Sequence, residues 1–205
     1  MSLKPEAKPV RQKQYPVRWE AQKGLEGLIT KFLGYELLVE CESEYNTPIL
    51  PVRKSGGKED RLVQDLRAIN QIVHDIHPVV TNPYTLLTSL KEEHKRFTVL
   101  DLKDASFCIP LDIKSQSIFA FEWESPATGR KMRLTWTVLP QGFKNSPMIF
   151  GNQLTKELEM WKEQKEGRGI LFILNVDDIP IAADSKEKCS EITISLLNFS
   201  HQREQ

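Results

Sequence analysis

The sequence predicts an α+β fold, and three observations carry that prediction. Strand-like and helix-like segments mix along the chain without the regular strand–helix–strand repeat of a parallel α/β protein. Two pairs of short β-prone runs each flank a turn sequence, the pattern of antiparallel hairpins. Two further apolar runs, far apart in the chain, each end in aspartate. At 205 residues the chain can bury a proper core, as one large domain or two small ones.

The elements follow in order. Residues 1–17 hold Pro5, Pro9 and Pro16 among charges and read as an extended leader. Trp19, Leu25, Leu28, Ile29, Phe32 and Leu33 recur near helical spacing, so an amphipathic helix is expected, ending near Gly34. Strands are expected at 47–53 and 61–65, joined through Ser55-Gly56-Gly57, and Phe97 to Leu100 form another β-prone run. A second hairpin, 118–124 with 132–138, surrounds Pro126-Ala127-Thr128-Gly129. Ser146 is placed to cap a helix running through Met160, with Pro147 at its first position. Its Met148, Ile149, Leu154 and Leu158 read as core rather than as a binding stripe. After the apolar run 169–179 there is room for one more strand and a helix over about 186–199. The chain has no internal repeat and no low-complexity tract.

Composition excludes some classes. With 28 basic and 28 acidic residues and a pI near 6.9, the chain lacks the strongly basic balance of a typical nucleic-acid binder. A local bias survives at the start, where Lys4, Lys8, Arg11, Lys13, Arg18 and Lys23 face only Glu6 and Glu20. That segment either tracks phosphates or is a solvated leader, and the leader is the simpler reading. Cys41, Cys108 and Cys189 are widely spaced, with no C-x-x-C and no secretory signal, which fits a reducing cytoplasmic or nuclear compartment. No run approaches transmembrane length, so no membrane partner is expected.

The aspartates carry the chemistry. Gly169-Ile170-Leu171-Phe172-Ile173-Leu174-Asn175-Val176-Asp177-Asp178-Ile179 is an apolar run broken by two adjacent carboxylates. Adjacent like charges repel unless a cation or solvent lies between them. One reading is a strand–turn–strand hairpin that presents both carboxylates to a metal, and the other is an ordinary Asp-Asp surface turn. The second run, Phe97-Thr98-Val99-Leu100-Asp101, shifts the balance. Two neighbouring strands ending in Asp would gather three carboxylates, and oxygen ligands of that kind suit Mg²⁺. Two such ions about 4 Å apart can serve phosphoryl transfer.

At these residues the chain resembles retroviral reverse transcriptases. Asn175-Val176-Asp177-Asp178 is similar to the Tyr-x-Asp-Asp box of that family with its first residue changed. Other segments typical of the family fall around it, in the family's order. They are Asn46-Thr47-Pro48-Ile49-Leu50-Pro51-Val52-Arg53-Lys54, Val63-Gln64-Asp65-Leu66-Arg67-Ala68-Ile69-Asn70, Asp75-Ile76-His77-Pro78 and Asn82-Pro83-Tyr84. The Asp101 segment comes next, continuing through Leu102-Lys103-Asp104-Ala105-Ser106-Phe107-Cys108, and then Leu139-Pro140-Gln141-Gly142-Phe143-Lys144-Asn145-Ser146-Pro147. Any one box is weak, but the full set in order is specific. The wording is most similar to the gammaretroviral type, endogenous copies included, and the resemblance runs from about Gln14 to about Ser190.

The resemblance implies a right-hand polymerase fold, fingers and partial palm, truncated before the thumb. The fingers would be about 18–96 and 113–139, the palm about 97–112 and 140–200, with 201–205 a tail. It implies an RNA-directed DNA polymerase that joins nucleoside triphosphates to a primer on an RNA or DNA template. Asp101, Asp177 and Asp178 would be the catalytic carboxylates holding two Mg²⁺ ions, with Mn²⁺ a substitute, and Asp101 and Asp177 would be the principal ligands. Lys54 and Arg61 would hold the triphosphate, a point charge and a fork of donors for phosphate oxygens. Asp104, Ala105 and Ser106 would line the sugar pocket. Gln141 would contact the template–primer near the nascent pair, as would Asn175 and Val176.

Departures from the family pattern accompany the matches. Asn175 stands where the family has Tyr, which removes an aromatic platform under the primer end. Ser106 replaces the bulky aromatic that excludes ribonucleotides by clashing with the 2′-hydroxyl, a steric kind of discrimination. Leu62 stands where a Pro usually follows the Arg. Pro180 falls in the expected second hairpin strand, where a residue that cannot donate to a ladder is tolerated mainly at edges or bulges. The thumb and ribonuclease H domain have no counterpart, so a partner chain supplying them is one expectation, and an exposed sheet edge with an apolar face is another. Two function readings therefore stand: a polymerase domain impaired by drift and truncation, and a catalytically inactive remnant of a retroelement.

Overall fold

The computed structural model describes residues 1–53, 60–77, 90, 92–102, 105–164, 171–172 and 178–201. The chain divides into two compact units, Met1–Asp75 with Ser106–Ser146, and Ile76–Ala105 with Pro147–Gln205. Helices and strands mix in both, as an α+β sequence predicts.

The first unit is built on two antiparallel sheets. Helix α1 (Trp19–Gly34) turns Leu25 and Ile29 into the core, four residues apart on one face. It does not stop by means of Gly34. Glu36 takes the left-handed conformation at φ 56°, with its N–H bonded to Leu33 O at 3.1 Å and the Leu37 N–H reaching Phe32 O at 2.9 Å. Strand β1 (Leu38–Glu40) follows, then the hairpin β2 (Ile49–Arg53) and β3 (Asp60–Gln64), with Val52 opposite Arg61. Short α2 (Arg67–Ile72) comes next.

Later segments complete the unit. A single turn, α3 (Ile113–Gln116), precedes a 3₁₀ turn at Ser117–Phe119 where the sequence predicts strand. Buried Ile118 and Phe119 make that stretch look β-prone, but the true strand begins only at Phe121. Strands β5 (Phe121–Glu124) and β6 (Lys131–Trp136) form the second hairpin, and β1 pairs with the far edge of β6. Phe121 and Trp123 point inward, while outward Glu122 and Glu124 sit opposite Arg133 and Lys131, with ion pairs at 3.0 and 3.6 Å. The turn closes on Gly129, whose φ of 67° suits a residue without a Cβ. Buried Gln64 ties the two sheets together. It donates to Thr47 Oγ1 at 2.7 Å and Phe119 O at 2.9 Å, and accepts from Trp136 Nε1 at 2.8 Å.

The leader is extended but not free. Lys4 N–H bonds Ile72 O, Gln12 N–H bonds Asn46 O, and the Gln14 side-chain amide both donates to and accepts from the Ile49 backbone. A leader so pinned lacks the freedom of a solvated tail, because its backbone groups are spent on the domain.

The second unit is one three-stranded antiparallel sheet in the order β4 (Arg96–Asp101), β8 (Asp178–Ala183), β7 (Leu171–Phe172). Helices α4 (Ser146–Gln164, in this unit from Pro147 on) and α5 (Lys186–His201) pack on one face. Leu158, Trp161, Ile179, Ile181, Ala183, Cys189, Ile192 and Leu196 form the buried core, with Leu100, Leu102 and Leu154 against it. The other face carries Phe97 at 60% exposure and Val99 at 59%. Pro180 stands within β8, opposite Val99 of β4 in an unbroken register. The strand survives because each residue of an antiparallel strand turns its N–H toward one neighbour only, so a proline forfeits at most one ladder bond.

Candidate active site

The second unit brings two of the sequence-predicted aspartates together. Asp101 is the last residue of β4 and Asp178 the first of β8, and the two are register partners. Directly opposed residues in an antiparallel pair turn their side chains to the same face, with Cα atoms about 4.5–5.5 Å apart. Asp101 is exposed and Asp178 half-buried, on the face opposite the helices. The register follows from the alternation. Leu100 and Ile179 must point to the core, so Phe97, Val99 and Asp101 point away from it.

Like charges directly opposite each other destabilise a sheet unless something stands between them. A divalent cation meets that need, and an all-oxygen donor set suits Mg²⁺ or Mn²⁺. Two opposed carboxylates therefore fit such an ion. Among the described residues there is no group of three potential ligands. Asp177 lies outside the described residues, as do Lys54, Asp104, Asn175 and Val176. Ala105 and Ser106 form the start of a 3₁₀ turn, Ala105–Cys108.

The first unit holds the remaining candidates. Arg61 is exposed on β3. Next to it in sequence, Leu62 is buried opposite Pro51, so the leucine that departs from the family pattern serves the core. Gln141 is exposed on the turn Leu139-Pro140-Gln141-Gly142, where Gly142 takes φ 87°.

That turn is held by side chains to which the family resemblance assigns no role in the site. Asn70 spans it with both ends of its amide: Nδ2 donates to Gly142 O at 3.0 Å and Oδ1 accepts from Lys144 N–H at 2.9 Å. Lys144 Nζ donates to Val73 O at 2.9 Å and pairs with Asp75 at 2.7 Å. Asn145 Nδ2 donates to His74 O at 2.8 Å, and Ser146 Oγ donates to Pro140 O at 2.9 Å. Two segments of the family resemblance are thus stitched to each other, which spacing alone could not reveal. Beside them the Asp65 carboxylate is buried. Arg67 grips it through side chain and backbone, Tyr15 donates at 3.0 Å, and these donors hold its carboxyl well below the usual range against the opposing cost of burial. A separate cavity of about 750 Å³ in this unit contains none of the predicted site residues.

Comparison with known proteins identifies the family. Residues 52–204 match the family model described as reverse transcriptase (RNA-dependent DNA polymerase). The chain is 49% identical over 197 residues to the Gag-Pol polyprotein of baboon endogenous virus (strain M7). It is 48% identical to the Pol polyprotein of feline endogenous virus ECE1 and 47% to the Gag-Pol polyprotein of koala retrovirus. Each match covers 96% of this chain but only 11%, 19% and 12% of the respective polyprotein. The chain therefore belongs to the reverse transcriptase (RNA-dependent DNA polymerase) family, in the form carried by retroviral Pol polyproteins.

Proposed function

We propose that the chain carries the fingers, about 18–96 and 113–139, and part of the palm, about 97–112 and 140–200, of an RNA-directed DNA polymerase, so that the fingers fall mainly in the first unit and the palm mainly in the second. The observation that supports this most is the pairing of Asp101 with Asp178 on the open face of the second unit's sheet. In the reaction a primer 3′-hydroxyl oxygen bonds to the α-phosphorus of a nucleotide, the bridging P–O bond breaks, and pyrophosphate leaves. Asp101 and Asp177 would be the principal ligands of the divalent cations, with Asp178 beside them. When bound, those ions supply charge neutralisation at the reacting phosphate. Lys54 and Arg61 neutralise the triphosphate, Asp104, Ala105 and Ser106 border the sugar, and Gln141 with Asn175 and Val176 meets the template–primer. The chain spans 11% and 19% of the length of two polyprotein relatives, and the proposal includes association with a segment or chain that supplies thumb or ribonuclease H functions.

Primer extension on an RNA template with Mg²⁺ or Mn²⁺, beside the Asp101→Asn, Asp178→Asn variant, tests the reading. Extension should fall at least about a thousandfold in the variant, since several kcal/mol of transition-state stabilisation go with the ions. Ribonucleotides should be incorporated if Ser106 leaves the sugar pocket open. A readout without turnover accompanies it: Mg²⁺ should raise the melting midpoint of the unaltered chain and leave the variant unmoved. A folded chain that neither extends nor responds to Mg²⁺ favours the second reading, an inactive remnant, for which Asn175 and Ser106 speak.

A further inference from the structure

The cavity in the first unit has a core floor and a polar wall. Leu25 of α1, Ile49 of β2 and Trp123 of β5 line it and are almost wholly buried. Val17 and Tyr15 from the leader and Met132 of β6 extend that apolar surface. A volume of about 750 Å³ is the size of a site for a small organic molecule.

Most polar groups of the wall are already spent. The Gln14 amide is held by the Ile49 backbone, Gln22 Nε2 donates to Glu124 O at 2.6 Å, and Ser43 Oγ donates to Ser117 O at 2.6 Å. Arg133 donates to Ser43 O at 2.7 Å and to Glu122 at 3.0 Å, while Lys131 pairs with Glu124 at 3.6 Å. Arg133 Nε has no acceptor, but it is closed off from solvent and so from a ligand. Glu42 remains, exposed and without an ion-pair partner among the described residues. The lining thus holds three carboxylates and two cations, and both cations are paired.

We infer that this cavity binds a small organic amine with a flat apolar body, the body lying on Leu25, Ile49 and Trp123 and the ammonium group meeting Glu42. The surplus carboxylate and the aromatic lining attract a cation, and the same carboxylate repels an anion. The ligand is therefore opposite in charge to a nucleotide. The site is also separate from Asp101 and Asp178, which belong to the second unit.

Cys41 makes occupancy measurable. It lines the cavity half-buried, and burial pushes its thiol up while Arg133 opposes, so alkylation is slow. Cys108 is exposed and outside the cavity, so it reports any loss of reagent. Iodoacetamide labelling of the full chain, followed at each cysteine by peptide mass spectrometry, tests the inference with tryptamine as probe. Tryptamine should protect Cys41 with a midpoint on the order of 1 mM, ordinary for so small a ligand, and leave Cys108 unaffected. Indole-3-propionate has the same ring and linker with the charge reversed, and should need at least about tenfold more. Glu42→Gln should weaken protection by tryptamine about threefold, as befits an exposed ion pair, and leave protection by uncharged indole unchanged. Because Glu42 is exposed, the melting midpoint of that variant should match the unaltered chain. Equal protection by amine and acid, an unchanged tryptamine midpoint in Glu42→Gln, or no protection at about 10 mM tryptamine overturns the inference. Equal slowing at Cys41 and Cys108 overturns it as well.

Discussion

At the scale of single residues, buried polar groups in the first unit do work that sequence patterns do not display. Asp65 is buried yet charged, because Arg67 and Tyr15 supply donors to both of its oxygens. Its carboxyl is held below its unfolded value, near 3.9. The stability it contributes is therefore full above about pH 4 and is lost as pH falls toward its lowered folded-state value. Asp65→Asn should cost about 2 kcal/mol at neutral pH and flatten the acid limb of the stability curve, measured by urea melts across pH. An acid limb identical to that of the unaltered chain would assign the acid sensitivity elsewhere. Asn70 makes a second case. Removing its amide in Asn70→Ala should cost about 1–2 kcal/mol and raise the KM for template–primer. If Asn70 acts through the turn that holds Gln141, the double variant Asn70→Ala, Gln141→Ala should lose little more than Gln141→Ala alone. Full additivity would make Asn70 merely structural. Neither clamp was legible beforehand, because an Asn or Asp in sequence carries no sign of the distant backbone it will meet.

At the scale of elements, more was legible, and the misreadings have physical causes. Helix α1, both hairpins and α4 follow from apolar spacing and turn residues, which are local signals. The β4–β8 register is also a consequence of sequence, because Leu100, Ile179 and Ile181 must all reach the core and that requirement aligns Asp101 with Asp178. The 3₁₀ turn at Ser117–Phe119 was not legible, since burial of Ile118 and Phe119 imitates a strand. Pro180 argued against its strand, but propensity yields when one missing donor is the whole cost. The end of α1 shows the opposite conflict. Gly34 is the residue suited to a left-handed cap, yet Glu36 occupies it. Glu36→Gly should stabilise the first unit by about 0.5–1 kcal/mol and raise its melting midpoint by about 2 °C. A lowered midpoint would mean that Glu36 gains more from its surroundings than its φ costs.

At the scale of the whole molecule, balanced charge and exposed apolar surface act together. With 28 acidic and 28 basic residues the chain has a formal net charge of zero near pH 7, so copies of it feel their weakest mutual repulsion there. Meanwhile Phe97 and Val99 stand exposed on the sheet of the second unit, and Ile194 and Leu197 are exposed on α5. Exposed β-prone apolar residues on an open sheet face are a recognised route to association, and low net charge removes the barrier to it. Self-association followed by light scattering should therefore peak near pH 6.9 and fall roughly one to two pH units to either side. The paired change Phe97→Ser, Val99→Thr should reduce the peak while leaving the melting midpoint nearly unchanged, since neither side chain contributes to the buried core. Ile194→Lys with Leu197→Lys provides the contrast, adding charge on the helical side of the same unit. If those helix variants suppress association and the sheet variants do not, the sheet face is not the sticky surface. A scattering signal independent of pH would show that charge balance has no part in it.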